Sequence, residues 1–335
     1  MMSPIGSSGE PEMTFTLDRG AGVAMRGLYD SRYYDVVAQS NSEAYRVFVG
    51  GPLLPFVGEP EGGEDTRHPV IYVLDGKLNF AIVHAQVQIL SAMRQMPPAF
   101  VVGVGYAGDE SFFEKDGFRR QGDLTPNAGG ELEAEMKAMN RALGVTHGGA
   151  DAFLAFLCDE LKLALESAYP ASRTDTTILG NSLGGLFASW VLLHEPDRFQ
   201  RYVIVSPSWW WNDYEVWAWE AAYAAAHHDL PARVFATFGG LETAARHKAI
   251  LERSLQLSEG EARKAIERTL ARSDDAGWMR GAELIPELQA KMDKRGYPGL
   301  NLTTLVLPDE THESIPGSGF SRGLRAVFGS WQPGG

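Results

Sequence analysis

The chain has 335 residues, 44% of them hydrophobic, with 43 acidic against 30 basic side chains and a formal charge of −13. That balance suits a globular protein with a sizeable core, and its field repels polyanions, which sets DNA and RNA aside as partners. A single cysteine, Cys158, excludes an intrachain disulfide and fits a reducing compartment, and no run of about 18 apolar residues offers a membrane span.

Residues 1–12 lack a basic segment followed by an apolar one and read as a flexible lead-in, with Met13 an alternative start; the expected location is the cytoplasm. Residues 13–335 read as one domain, because strands and helices alternate without a Pro/Ser linker. Alternating apolar runs predict strands at 34–37 and 44–49, then an acidic Gly/Pro-rich connection at 58–65. Buried strands at 70–74 and 99–105 flank a helix at 79–93, a crossover that implies a parallel sheet. Residues 108–149 mix charge with glycine and read as a long irregular loop.

Further along, helices are expected at 150–168, 183–194 and 214–228, and strands at 177–179, 202–205, 233–238 and 302–307. The fold class is therefore α/β, a mostly parallel central sheet with helices on both faces. A small helical insertion, about 243–296, precedes the last strand and consists of a run at 246–272, a break at 273–278 and a run at 281–294. Such an insertion commonly forms a lid over the carboxyl edge of the sheet, and a peripheral packing pair fits the pattern equally.

The run Thr177-Ile178-Leu179-Gly180-Asn181-Ser182-Leu183-Gly184-Gly185 carries the chemistry. It joins a buried strand to an apolar helix through G-x-S-x-G, a turn so sharp that only small residues fit beside the serine. Ser182 is thus the expected nucleophile, and the helix that follows aims free amides where an oxyanion forms. A serine needs an imidazole to take its proton, and the imidazole needs a carboxylate to fix its tautomer. Of 8 histidines, His312 alone sits in a loop between the last buried strand and the final helix. Glu242 follows a strand and the Gly239-Gly240 turn, the place of the acid when the order is Ser, acid, His; Asp213, Asp274 and Asp309 are its rivals. The oxyanion donors expected are the Leu183 amide and one from Gly76 or Lys77, in the loop after strand 70–74.

Gly103-Val104-Gly105-Tyr106-Ala107-Gly108 matches G-x-G-x-x-G, yet residues 109–117 do not read as the helix that must hold a pyrophosphate. No cofactor is expected. Metal-ligand spacings are missing too, His227-His228 being the only pair, so no metal is expected.

With these residues in place the chain resembles the putative-esterase branch of the alpha/beta hydrolases, and within it the siderophore-esterase-like hydrolases. The resemblance is carried by Tyr72-Val73-Leu74-Asp75-Gly76, residues 119–126 ending in Asp-Leu-Thr-Pro, residues 180–187, Ser206-Pro207-Ser208-Trp209-Trp210-Trp211, residues 239–242 and Thr311-His312-Glu313-Ser314. It implies an alpha/beta-hydrolase fold and a serine esterase acting through an acyl-enzyme on a small-molecule ester. It also implies Ser182 as nucleophile, His312 as base, Glu242 as acid, and Lys77 and Leu183 as oxyanion donors.

Arg119 and Arg120 would supply the local positive charge that an anionic substrate needs on so acidic a protein, or would pair with Asp116 and Asp123. Trp209, Trp210 and Trp211 follow a strand, and strand alternation would turn two of them toward the substrate. An acyltransferase with the same triad, a non-catalytic binding protein on the same fold, and a homo-oligomer all remain open on sequence.

Overall fold

The computed structural model describes residues 14–25, 27–54, 66–129, 134, 147–271 and 279–329. The lead-in 1–12, the connection 58–65, the insertion break 273–278 with Asp274, and most of 130–146 lie outside the described residues.

Valine, isoleucine and aromatic runs build one nine-stranded sheet from the described strands: β1 Val23–Ala24, β2 Ser31–Val37, β3 Ala44–Gly50, β4 His68–Leu74, β5 Phe100–Tyr106, β6 Ala171–Ser182, β7 Arg201–Pro207, β8 Arg233–Gly239 and β9 Asn301–Leu307. The strand order is β1-β2-β3-β5-β4-β6-β7-β8-β9. The pairs β1/β2, β2/β3 and β3/β5 are antiparallel, and every pair from β5/β4 to β8/β9 is parallel. Central strands of a parallel sheet are covered on both faces, which is why 70–74 reads as an unbroken apolar run and is fully buried.

Two apolar clusters lie on the two faces. One face holds α1 (Gly76–Ala92) and α9 (Ile315–Phe328), packed through Phe80, Val83, Val87, Phe320 and Leu324. The other holds α3 (Ala150–Ala155, continued by a π-helical stretch Phe156–Leu161 and by Lys162–Ala168), α4 (Leu183–His194), α5 (Val216–Ala226) and α8 (Leu284–Arg295). Between β8 and α8 stand α6 (Ala244–Leu257) and α7 (Gly260–Ala271), which with α8 fall in the stretch about 243–296 read from the sequence as a helical insertion. The sequence reads α6 and α7 as one run, but they are two helices, parted where Gly260 takes φ 60°.

A second departure matters more. Inside the stretch expected to be irregular, a π-helical turn Phe112–Asp116 leads into α2 (Gly117–Leu124). Helix α2 buries Arg120 and Asp123 beside Leu124, so its inward face is charged and apolar periodicity cannot reveal it. Tyr45 and Tyr106 hydroxyls both donate to Asp123 Oδ2 at 2.7 Å and pin α2 to β3 and β5. Burial lifts the Asp123 carboxyl to about 6, against the lowering effect of these two hydroxyl donors.

The chain runs from β4 to β5 on one side and then returns to place β6 on the other. Ligands of open parallel sheets bind at such a reversal, outside the carboxyl ends of the strands. Helix α1 starts directly after β4 and α4 directly after β6, so the two N-termini flank this crevice.

Candidate active site

Ser182 ends β6 and opens α4 with φ 57° and ψ −124°, a conformation that non-glycine residues rarely adopt. The turn closes tightly because Gly180 lacks a side chain: a Cβ there would stand 2.5 Å from the Gly184 carbonyl carbon and oxygen. Ser182 Oγ lies 3.4 Å from Ser208 Oγ, and the Ser208 amide donates to the Ser182 carbonyl at 3.0 Å. Ser182 thus stands half-buried at the carboxyl edge.

Glu242 and His312 meet as the sequence suggests: their separation is 2.7 Å between His312 Nδ1 and Glu242 Oε2. The Glu242 side chain is 4% exposed and that of His312 38%, so the acid is enclosed and the imidazole reaches the surface. The other carboxylate oxygen, Oε1, accepts from Ser206 Oγ at 2.5 Å and from the Gly239 amide at 2.8 Å. These three partners of the carboxylate are all donors. With Nδ1–H given to the carboxylate, Nε2 is left as the basic nitrogen of His312.

The backbone holds the pair together. The Gly240 amide donates to the Leu307 carbonyl at 2.6 Å and the Leu241 amide to the Glu310 carbonyl at 3.1 Å, which ties the turn after β8 to the loop that carries His312. The segment just before α8 returns to the same point, since the Ala282 amide donates to the Glu242 carbonyl at 2.8 Å. The rivals fare differently: Asp213 and Asp309 are exposed, and Asp274 lies outside the described residues.

Gly76, Lys77 and Leu183 stand in the first turns of α1 and α4, where helix geometry supplies no acceptor for the amides. Of the two readings of the arginines, the pairing with Asp116 and Asp123 is not the one the structure makes. Arg119 pairs with Glu43 and lies 4.3 Å over the Tyr106 ring, while Arg120 grips Asp75 through two bonds of 2.7 Å. Neither pairs with Asp116 or Asp123. Lys77 takes Asp116 instead, at 2.9 Å.

The tryptophans also correct the expectation. Trp209 is 2% exposed, packs against Phe238 and donates to Ser189 Oγ at 2.8 Å; Trp211 is fully buried between His147 and Trp219. Both are core residues, and Trp210 is the partly exposed one of the three. The strand ends at Pro207 and the chain turns through 209–215, so strand alternation does not apply to them. Three contributors escaped residue-by-residue reading: Ser206, Ser208 and Asp75. Their signal was the Ser-Pro-Ser string after β7 and the Asp-Gly step after β4.

The order of the sheet, its crossovers and the strand-to-helix turn at Ser182 define an α/β hydrolase. Residues 56–273 match the family described as "Putative esterase", and the chain belongs to that family. It is 34% identical over 179 residues to a ferri-bacillibactin esterase of Bacillus subtilis, an alignment that covers 52% of this chain and 57% of that protein. A siderophore triacetylfusarinine C esterase of Aspergillus fumigatus is 28% identical over 297 residues, covering 84% and 90%. Among solved structures, the siderophore hydrolase EstA from Aspergillus nidulans superposes with a TM-score of 0.68 at 22% identity, over 92% of this chain and 97% of that one. No described helix is long and apolar enough to cross a membrane.

Proposed function

We propose that this protein is a serine carboxylic-ester hydrolase that works through an acyl-enzyme, with Ser182 as nucleophile, His312 as base and Glu242 as acid. The observation that carries the reading is the Glu242–His312 hydrogen bond of 2.7 Å, made by a buried carboxylate at the same sheet edge as the strained Ser182 turn. His312 Nε2 takes the Ser182 proton as Oγ attacks the ester carbonyl, and the Leu183 amide with that of Lys77 or Gly76 stabilises the oxyanion. Collapse of the tetrahedral intermediate expels the alcohol, which leaves with the proton held by His312. Water then repeats the sequence on the acyl-enzyme and releases the acid.

The bacterial and fungal relatives are esterases of siderophores, which supports an ester of that kind as the small-molecule substrate. The buried single thiol of Cys158 supports a cytoplasmic location.

The test is hydrolysis across short acyl, long acyl, aryl and lactone esters, run beside Ser182→Ala with the fold of both proteins checked by circular dichroism. Activity in the wild type, absent from Ser182→Ala, together with phosphonate labelling of Ser182, is the expected result. A labelled protein that hydrolyses none of the esters but acylates added alcohols is an acyltransferase. A folded wild type that phosphonates fail to label overturns the catalytic reading.

A further inference from the structure

We propose that Arg120 is a positioning residue that sets the two halves of the oxyanion site against each other and keeps one of them free, and that it does not bind substrate. This role rests on Ser182 being the nucleophile and on the Gly76, Lys77 and Leu183 amides being the oxyanion donors.

Asp75 occupies the N-cap of α1, in the left-handed conformation with φ 54° and ψ 51°. An N-cap aspartate with extended backbone ordinarily turns its carboxylate onto the second or third amide of its own helix. Asp75 makes no such bond. Its backbone carbonyl receives the Leu78 and Asn79 amides at 2.9 and 3.0 Å, while its side chain is committed to Arg120, Nε to Oδ1 and Nη2 to Oδ2, both at 2.7 Å. The pair is enclosed, the two side chains being 11% and 5% exposed. A bidentate guanidinium fixes direction as well as distance. The carboxylate is thereby held off the Lys77 amide, which is the second amide of α1.

The same guanidinium reaches the other half. Arg120 Nη2 lies 3.4 Å from the carbonyl of Asn181, the residue before the nucleophile. A second strut runs in parallel, where Asn79 Nδ2 donates to the Leu74 carbonyl and to Asn181 Oδ1, both at 3.1 Å. The end of β4 with the start of α1 is thus braced to the end of β6 with the start of α4. Helix α2 supplies the brace, and Lys77 Nζ holds the segment before α2 through Asp116 at 2.9 Å and the Glu110 carbonyl at 3.0 Å.

Two consequences separate this role from that of an arginine holding an anionic substrate. Losing the brace weakens oxyanion stabilisation whatever the charge of the substrate, and it frees the Asp75 carboxylate to cap Lys77. Arg120→Met is therefore expected to lower kcat about 10²-fold, the effect of one lost oxyanion donor, equally on neutral and carboxylate-bearing esters and with KM nearly unchanged. The rate of phosphonate labelling falls by the same factor. Removing the carboxylate as well, in Arg120→Met/Asp75→Gly, frees Lys77 again, and glycine accepts the left-handed conformation; kcat returns to within about tenfold of wild type.

A rise in KM confined to the anionic ester, or a double variant no better than the single one, overturns the proposal. If Arg120→Met does not fold, the double variant decides: within about tenfold of wild type supports Arg120 as the group that keeps the Asp75 carboxylate off Lys77, and a loss of about 10² or more overturns the proposal. Ser182→Ala is measured alongside. Its retention of activity would sink the reading of the site itself, whereas an inactive Ser182→Ala beside fully active Arg120 variants removes only the positioning role.

Discussion

The carboxyl edge of the sheet and the α6–α7 hairpin lie close in sequence and differ sharply in how they are held. At the edge, Glu242 is bonded on both oxygens, the loop carrying His312 is tied to the turn after β8, and two side-chain struts join the ends of β4 and β6. The hairpin begins two residues past Glu242, yet α6 buries only Ala244 and the two helices pack chiefly on each other. Side-chain bonding is concentrated at the edge, where the proposed reaction would develop charge against fixed dipoles, and is sparse in the hairpin.

The sharpest way to break this comparison is Gly180→Ala. The added methyl would sit 2.5 Å from backbone atoms of Gly184, and backbone cannot rotate aside as a side chain can. Loss of soluble protein, or of all hydrolysis in whatever folds, is the expected outcome. A folded, active variant would mean that the edge yields far more than its geometry allows. Glu242→Gln comes next. It keeps the shape but offers His312 an amide, which favours the tautomer with the proton on Nε2, and kcat should fall by on the order of 10³. A loss of less than about tenfold would return the acid role to a rival carboxylate.

Much of this edge was legible in the sequence because its demands are local. A buried strand needs consecutive apolar residues, the sharp strand-to-helix turn at Ser182 needs glycines, and the turn that carries Glu242 after β8 is announced by Gly239-Gly240. What was not legible depended on pairing at a distance. Arg120 reaches back 45 residues to Asp75 and passes over Asp116 and Asp123, its neighbours in sequence, because α2 turns them toward other partners. Helix α2 itself was hidden, since a helix that points Arg120 and Asp123 inward has no apolar stripe. Trp209 and Trp211 misled for the opposite reason: aromatic residues near a site suggest a wall, but the turn after Pro207 carries them into the core.

Asp123 sharpens the comparison from the stability side. Its carboxyl stands at about 6 when folded, raised first of all by burial, and at about 4 when the chain is unfolded. The folded state therefore holds the proton more tightly. The resulting stabilisation is complete below about pH 4 and disappears as pH rises to about 6, a change on the order of 3 kcal/mol. Asp123→Asn has no such proton to lose. Measured by urea unfolding from about pH 4 to about pH 7.5, the variant should gain on the wild type through that window and run parallel to it above. A difference that stays constant with pH would mean that the carboxylate is hydrated and α2 is less firmly seated than its two tyrosine bonds imply.

The smallest effect belongs to the hairpin. Leu257 is 80% exposed and Ile250 53%, so exchanging either for serine removes little buried area. Surface substitutions of this kind stay within about 0.5 kcal/mol. Tm of Leu257→Ser and Ile250→Ser should therefore match wild type to within a degree or two, with hydrolysis of a small ester unchanged. Should Tm drop by several degrees, and more steeply in dilute than in concentrated protein, these side chains are covered in solution by a second copy, and the hairpin is an interface. Should Tm hold while KM for a bulky ester rises, the hairpin contacts the substrate. The difference between the two regions would then lie in timing, with one fixed before the ester arrives and the other closing on it.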